Sequence, residues 1–98
     1  MTITKTQNGT NLTISLEGRL DTVTAPELEA EIEAFPGGVE SLTLDLKALE
    51  YISSAGLRVL LRAQKAMSAK GGMQVKNVGE VVSEVFEVTG FSDILDIE

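Results

Sequence analysis

The sequence predicts an α/β fold, a small mixed β-sheet covered by helices in β-β-α-β-α-β-α order. Three observations lead there. Near the start, two extended runs flank Asn8-Gly9 in the pattern of a hairpin. Beyond it the apolar residues switch repeatedly between a spacing of two and a spacing of three to four, as strands and helices alternate. Pro36-Gly37-Gly38 and Gly71-Gly72 punctuate the later runs as breakers. Strands separated by helices imply parallel neighbours joined by right-handed crossovers. With 98 residues, 43% of them hydrophobic, residues 1–98 are expected to form one domain whose elements share one core.

The first hairpin pairs Thr2–Gln7 with Thr10–Glu17 around a two-residue turn at Asn8-Gly9. Its second strand alternates cleanly, with Leu12, Ile14 and Leu16 on one face and Asn11, Thr13 and Ser15 on the other. In the first strand Ile3 shares its face with Lys5, and a lysine there suits an edge that must discourage further pairing. Gly18-Arg19-Leu20-Asp21 is expected to leave the sheet as a loop. Thr24-Ala25-Pro26-Glu27 has the spacing of a capping box and opens a helix, with Ala25, Leu28, Ile32 and Phe35 on its inner face. The glutamates at 27, 29, 31 and 33 read mostly as its solvated side. Leu42–Leu46 alternates as a buried strand and is followed by a short connection in which Leu49 and Ile52 pack inward.

A helix from Gly56 to Ala69 then turns Leu57, Leu60, Leu61, Gln64 and Met67 inward, with Arg58, Arg62 and Lys65 as a solvated stripe. Met73–Val78 reads as another strand, with Met73 and Met67 as gap-filling core residues. Glu80–Thr89 reads as a helix with Val81, Val82, Val85 and Phe86 inward, closed by Gly90. Phe91–Ile97 is either a short helical turn or a last strand.

The whole pattern centres on Tyr51-Ile52-Ser53-Ser54-Ala55-Gly56-Leu57, where a strand-like run becomes a helix. A serine entering a helix can accept from backbone N–H groups that lack an intrahelical partner, and those N–H groups, with the helix dipole, also favour an anion. Ser53 or Ser54 therefore either caps the helix or also carries a phosphate. Gly56 in the first turn serves either the close approach of a partner or a tight fit against the sheet. The carboxyl ends of parallel strands, where this turn falls, are the usual place for partner and ligand sites in such sheets.

Composition narrows the chemistry. The chain has no cysteine and no histidine, which removes thiolate chemistry, the usual general base and the commonest metal ligand. A net charge of −7 repels nucleic acid and anionic lipid, so no direct nucleic-acid partner and no membrane partner is expected, and a basic-surfaced protein is. Met-Thr-Ile-Thr-Lys has no basic-then-apolar leader pattern, and no apolar run nears the roughly 18 residues of a membrane span, so the expectation is a cytoplasmic protein. A hydrolase elbow fails because Ile52 stands where Gly-x-Ser-x-Gly needs its first glycine. A Gly-Lys-Ser/Thr phosphate loop is missing, and Asp21 with Asp45 is a poor metal set. No catalysis, no cofactor and no metal are expected.

Gly18-Arg19-Leu20-Asp21, Thr24-Ala25 with Leu28, the strand Leu42–Leu46, the turn Tyr51–Leu57 and Gly71-Gly72 together resemble the STAS domain family, and most of all bacterial anti-sigma factor antagonists. The resemblance runs across nearly the whole chain, and the turn is its most specific part. It implies a partner-switching protein. In that family an anti-sigma factor that is also a serine kinase binds the unmodified antagonist and phosphorylates the serine two residues before the motif glycine, here Ser54. The modified antagonist is released until a serine phosphatase restores it. The resemblance places Asp21 near this site and makes Asp21, Ser53, Ser54, Ala55 and Gly56 the partner-binding set. Family members often carry Asp where this chain has Ser53, which leaves two adjacent hydroxyls as candidates. Within the same family, a non-switching structural subunit of a larger assembly, such as a lipid transporter, would use the turn only to dock.

Overall fold

A computed structural model describes Met1–Glu98. The chain runs β1 (Thr2–Asn8), β2 (Asn11–Leu20), α1 (Ala25–Glu33), β3 (Ser41–Ile52), α2 (Ser54–Ser68), β4 (Met73–Lys76), α3 (Glu80–Thr89), a 3₁₀ turn at Phe91–Asp93, and β5 (Asp96–Ile97). Both readings of the last segment therefore apply, to different residues. The five strands form one sheet in sequence order, antiparallel between β1 and β2 and parallel from β2 onward. This is the expected mixed α/β architecture.

Register explains the layering. Leu12 lies opposite Leu42 and Leu42 opposite Met73, while Ile14, Leu44 and Val75 form the next row. All six side chains share one face and are buried. Leu28 of α1, Leu57, Leu60 and Met67 of α2, and Val82 and Phe86 of α3 complete the same apolar cluster of 22 residues, which holds no buried polar side chain. The helices cover this face only. The opposite face carries Asn11, Thr13, Ser15, Ser41, Thr43 and Asp45, half-buried and without a helix over them. At the β1 edge, Lys5 forms an ion pair with Glu31 of α1.

The structure corrects the local expectations at several points. Asn8 pairs with Asn11, so the hairpin turn is Gly9-Thr10 rather than Asn8-Gly9, with Gly9 at φ +64° and Thr10 on the ordinary side. That is the primed turn needing glycine only at its first central position. Gly18–Leu20 stay in β2 instead of leaving the sheet. β3 likewise continues through the expected connection to Ile52. Its period is hidden because β3 inserts an extra residue twice against β2. Two residues oppose Leu16, and Tyr51 rather than Glu50 follows Leu49 in the pairing. Each bulge turns a spacing of two into three, so Leu46, Leu49 and Ile52 all face the core. β4 stops at Lys76 because Asn77 adopts φ +58°. Val81 is 56% exposed and not inward, whereas its neighbour Val82 is fully buried.

Candidate functional site

β2 and β3 are parallel, so their carboxyl ends meet. Leu20 pairs with Ile52, and the Ser53 N–H donates to the Leu20 carbonyl at 2.9 Å. The segment after β2 and the entrance to α2 are thereby fixed side by side on one rim of the sheet.

On the β2 side Asp21 organises the turn into α1. Its Oδ1 accepts from the N–H groups of Val23 at 3.0 Å and Thr24 at 3.1 Å. The expected Thr24–Glu27 capping box does not form, because the Thr24 hydroxyl donates to the Arg19 carbonyl at 2.8 Å and accepts from the Asp21 N–H at 2.9 Å. Asp21 takes over the capping role. The Thr24 N–H foremost, then the Val23 N–H and the Arg19 guanidinium, hold its carboxyl below the ordinary aspartate value, against an opposing effect of burial. Arg19 in turn lies 4.3 Å over the Tyr51 ring. Val23, 81% exposed, projects from this turn.

On the β3 side Ser53 is extended at φ −100° and ψ 177° and is the residue that precedes the helix. The Leu57 N–H closes the first helical bond onto the Ser53 carbonyl at 2.9 Å. The Ser53 hydroxyl does not cap. It is shut off from solvent with no hydrogen-bond partner. Ser54 is the first helical residue, two positions earlier than the expected start, and it is exposed. Ala55 is half-buried against the core. Gly56 is buried, and a Cβ there would lie 2.8 Å from Leu20 Cγ, 2.8 Å from Ile52 Cγ1 and 3.0 Å from the Leu20 carbonyl oxygen. Its reason is the tight fit against the sheet. Of the five residues expected to meet a partner, Ser54 and Ala55 are therefore at the surface, Asp21 is engaged in its own turn, and Ser53 and Gly56 lie largely beneath.

Sequence reasoning missed what adjoins this turn. A groove of about 240 Å³ runs between α1 and α2, lined among others by Thr22, Pro26, Ala55, Arg58 and Val59. Arg62 crosses it to an ion pair with Glu29 of α1. The stripe of cations on α2 is thus not uniformly solvated. The available signal was that Arg58 follows Ser54 by four, the spacing that places two residues on one helical face.

Fold and site together define a small binding module that presents one serine at the mouth of a helix. The STAS-domain family model described as "Mlab, STAS domain" matches residues 3–96. Among curated relatives, BtrV of Bordetella bronchiseptica, which bears the name of an anti-sigma factor antagonist, is 40% identical over 84 residues. That match covers 84% of this chain and 72% of the relative. The anti-sigma-B factor antagonist of Bacillus subtilis is 29% identical over 92 residues, covering 93% of this chain and 84% of the relative. Among solved structures, an anti-sigma factor antagonist from Mycobacterium paratuberculosis superposes with a TM-score of 0.87 at 27% identity, over 98% of this chain and 83% of that one. The chain belongs to the STAS domain family.

Proposed function

We propose that this chain is an anti-sigma factor antagonist that acts by partner switching, with Ser54 as its phosphorylation site. The observation that carries the assignment to Ser54 is the contrast between two adjacent hydroxyls: Ser54 is exposed on the first turn of α2, and the Ser53 oxygen is sealed. The similarity to regulators named as antagonists supports a binding role. The partner is an anti-sigma factor with serine kinase activity. The Ser54 Oγ attacks the γ-phosphorus of the ATP that the partner holds, the bond to the β-phosphate oxygen breaks, ADP leaves, and the hydroxyl proton passes to a base on the kinase. A serine phosphatase reverses the state by adding water to phosphorus, returning serine and inorganic phosphate. This cycle belongs to the cytoplasm, and no helix here is long and apolar enough to cross a membrane.

Phosphorylation adds roughly 1.5 to 2 negative charges at a position where a docked surface lies. The N–H groups of Ser54, Ala55 and Gly56 have no acceptor within the chain, so the domain can carry that charge without refolding. The partner, by contrast, must desolvate it. Incubation with the cognate kinase and ATP, followed by mass-spectrometric mapping, should find phosphate on Ser54; a modified Ser53, or neither, overturns the assignment. Ser54→Ala should fold and bind the kinase, whereas Ser54→Asp should bind at least about tenfold more weakly, a difference of roughly 1.4 kcal/mol. A non-switching docking subunit would bind equally well as either variant.

A further inference from the structure

The three arginines of the chain are engaged unequally. Arg19 has the Tyr51 ring and Asp21 beside it, and Arg62 holds Glu29. The Arg58 guanidinium has neither an ion pair nor a hydrogen bond within the chain, and the residue is exposed and lines the groove between α1 and α2. It follows Ser54 by four residues on the same helix, which sets their Cβ atoms about 5–6 Å apart. A phosphate on Ser54 offers three acceptor oxygens within the reach of a guanidinium, whose planar fork matches them.

We propose that Arg58 receives the phosphate of Ser54 and is the residue through which the modification alters the groove. This rests on the reading of Ser54 as the modified residue. In the unmodified chain Arg58 is the uncommitted guanidinium of the groove, available to a carboxylate of the docked protein. Once Ser54 carries a phosphate, the guanidinium turns back by one helical turn and pairs with it. The partner then meets added negative charge and loses a cation in the same event. Glu29, the acidic residue lining the groove, is already occupied by Arg62 and does not compete for Arg58.

The test uses the full chain made with phosphoserine inserted at position 54 during translation, so that no kinase is needed. The second ionisation of the phosphate, ordinarily near pH 6, is followed by ³¹P NMR. A nearby cation favours the dianion, so the parent should titrate lower than Arg58→Gln by about half a unit or more, with Arg58→Lys between them. Lys65→Gln removes the same charge from a position eleven residues beyond Ser54. That is about 16 Å along the helix and outside a Debye length of about 8 Å, so this variant should titrate as the parent does. Arg58 is exposed, and an unchanged amide spectrum away from the site confirms that its variants are folded. Equal values for the parent and Arg58→Gln overturn the proposal. Failure of the kinase to modify Ser54 would sink the partner-switching reading instead, and leave this titration standing.

Discussion

At Gly56 an added methyl would press on Leu20 and Ile52, including a backbone carbonyl 3.0 Å away that cannot turn aside. Ala is the better helix former by up to about 1 kcal/mol, yet overpacking costs about 1–3 kcal/mol, so Gly56→Ala should be net destabilising, by roughly 1 kcal/mol or more in urea unfolding. Asp21 and Asp45 carry a different kind of dependence. The carboxyl of Asp21 is lowered chiefly by the Thr24 N–H, and that of Asp45 by the Asn77 amide, which donates to Asp45 Oδ1 at 3.0 Å. Both lie below 3.8 in the folded state, so their contribution is complete above the unfolded value and is lost as pH falls through the folded values. The parent should therefore lose stability on acidification below about pH 4, and Asp21→Asn/Asp45→Asn should lose less over that window, as denaturant midpoints at pH 7 and pH 3 would report. A sequence reader sees both carboxylates but not these partners. Asp21 stands three residues before Thr24 in a segment that reads equally well as a loop, and Asn77 reaches Asp45 across 32 residues.

Elements were legible where one period governed them from end to end. α3 has the limits its pattern implies, Glu80–Thr89, because Val82 and Phe86 repeat at helical spacing and Gly90 closes it. β3 was legible only to Leu46, since its two bulges replace strand alternation by steps of three, which resemble neither a strand nor a long helix. The hidden half matters to the site, because it carries the chain to Ile52 and so sets the entrance of α2. Leu49 is the test of that half. It is 5% exposed within the core, so Leu49→Ala should cost about 2–5 kcal/mol, measured by chemical denaturation, whereas a side chain on a loose connection would cost a few tenths. Val81 was misread for the opposite reason: four valines in a short helix satisfy several inward arcs, and only the position of the sheet selects Val82.

Across the whole molecule, the sheet has helices on one face only, and the apolar cluster between them contains no polar side chain whose rearrangement could carry a signal. Ser54 is on the rim of this unit, beside the α1–α2 groove and away from β1, which closes one edge of the sheet. A close-packed apolar interior has few alternative arrangements, so a charge added at the rim should be felt where it is placed. The net charge would move from −7 to about −9, and that change is met by the α2 N–H groups and by Arg58 rather than by a shift of the sheet. Amide shifts on phosphorylation should therefore be confined to the first two turns of α2 and the Asp21–Pro26 segment, with β1 and α3 unmoved. The free energy of unfolding at neutral pH should rise modestly, by about 0.5–1.5 kcal/mol, because the α2 N–H groups and Arg58 meet the phosphate only in the folded chain. Shifts reaching Phe86 or the β1 strand would mean that the phosphate selects a second arrangement of the core, and partner release would then have to be explained by that rearrangement and not by the altered surface itself.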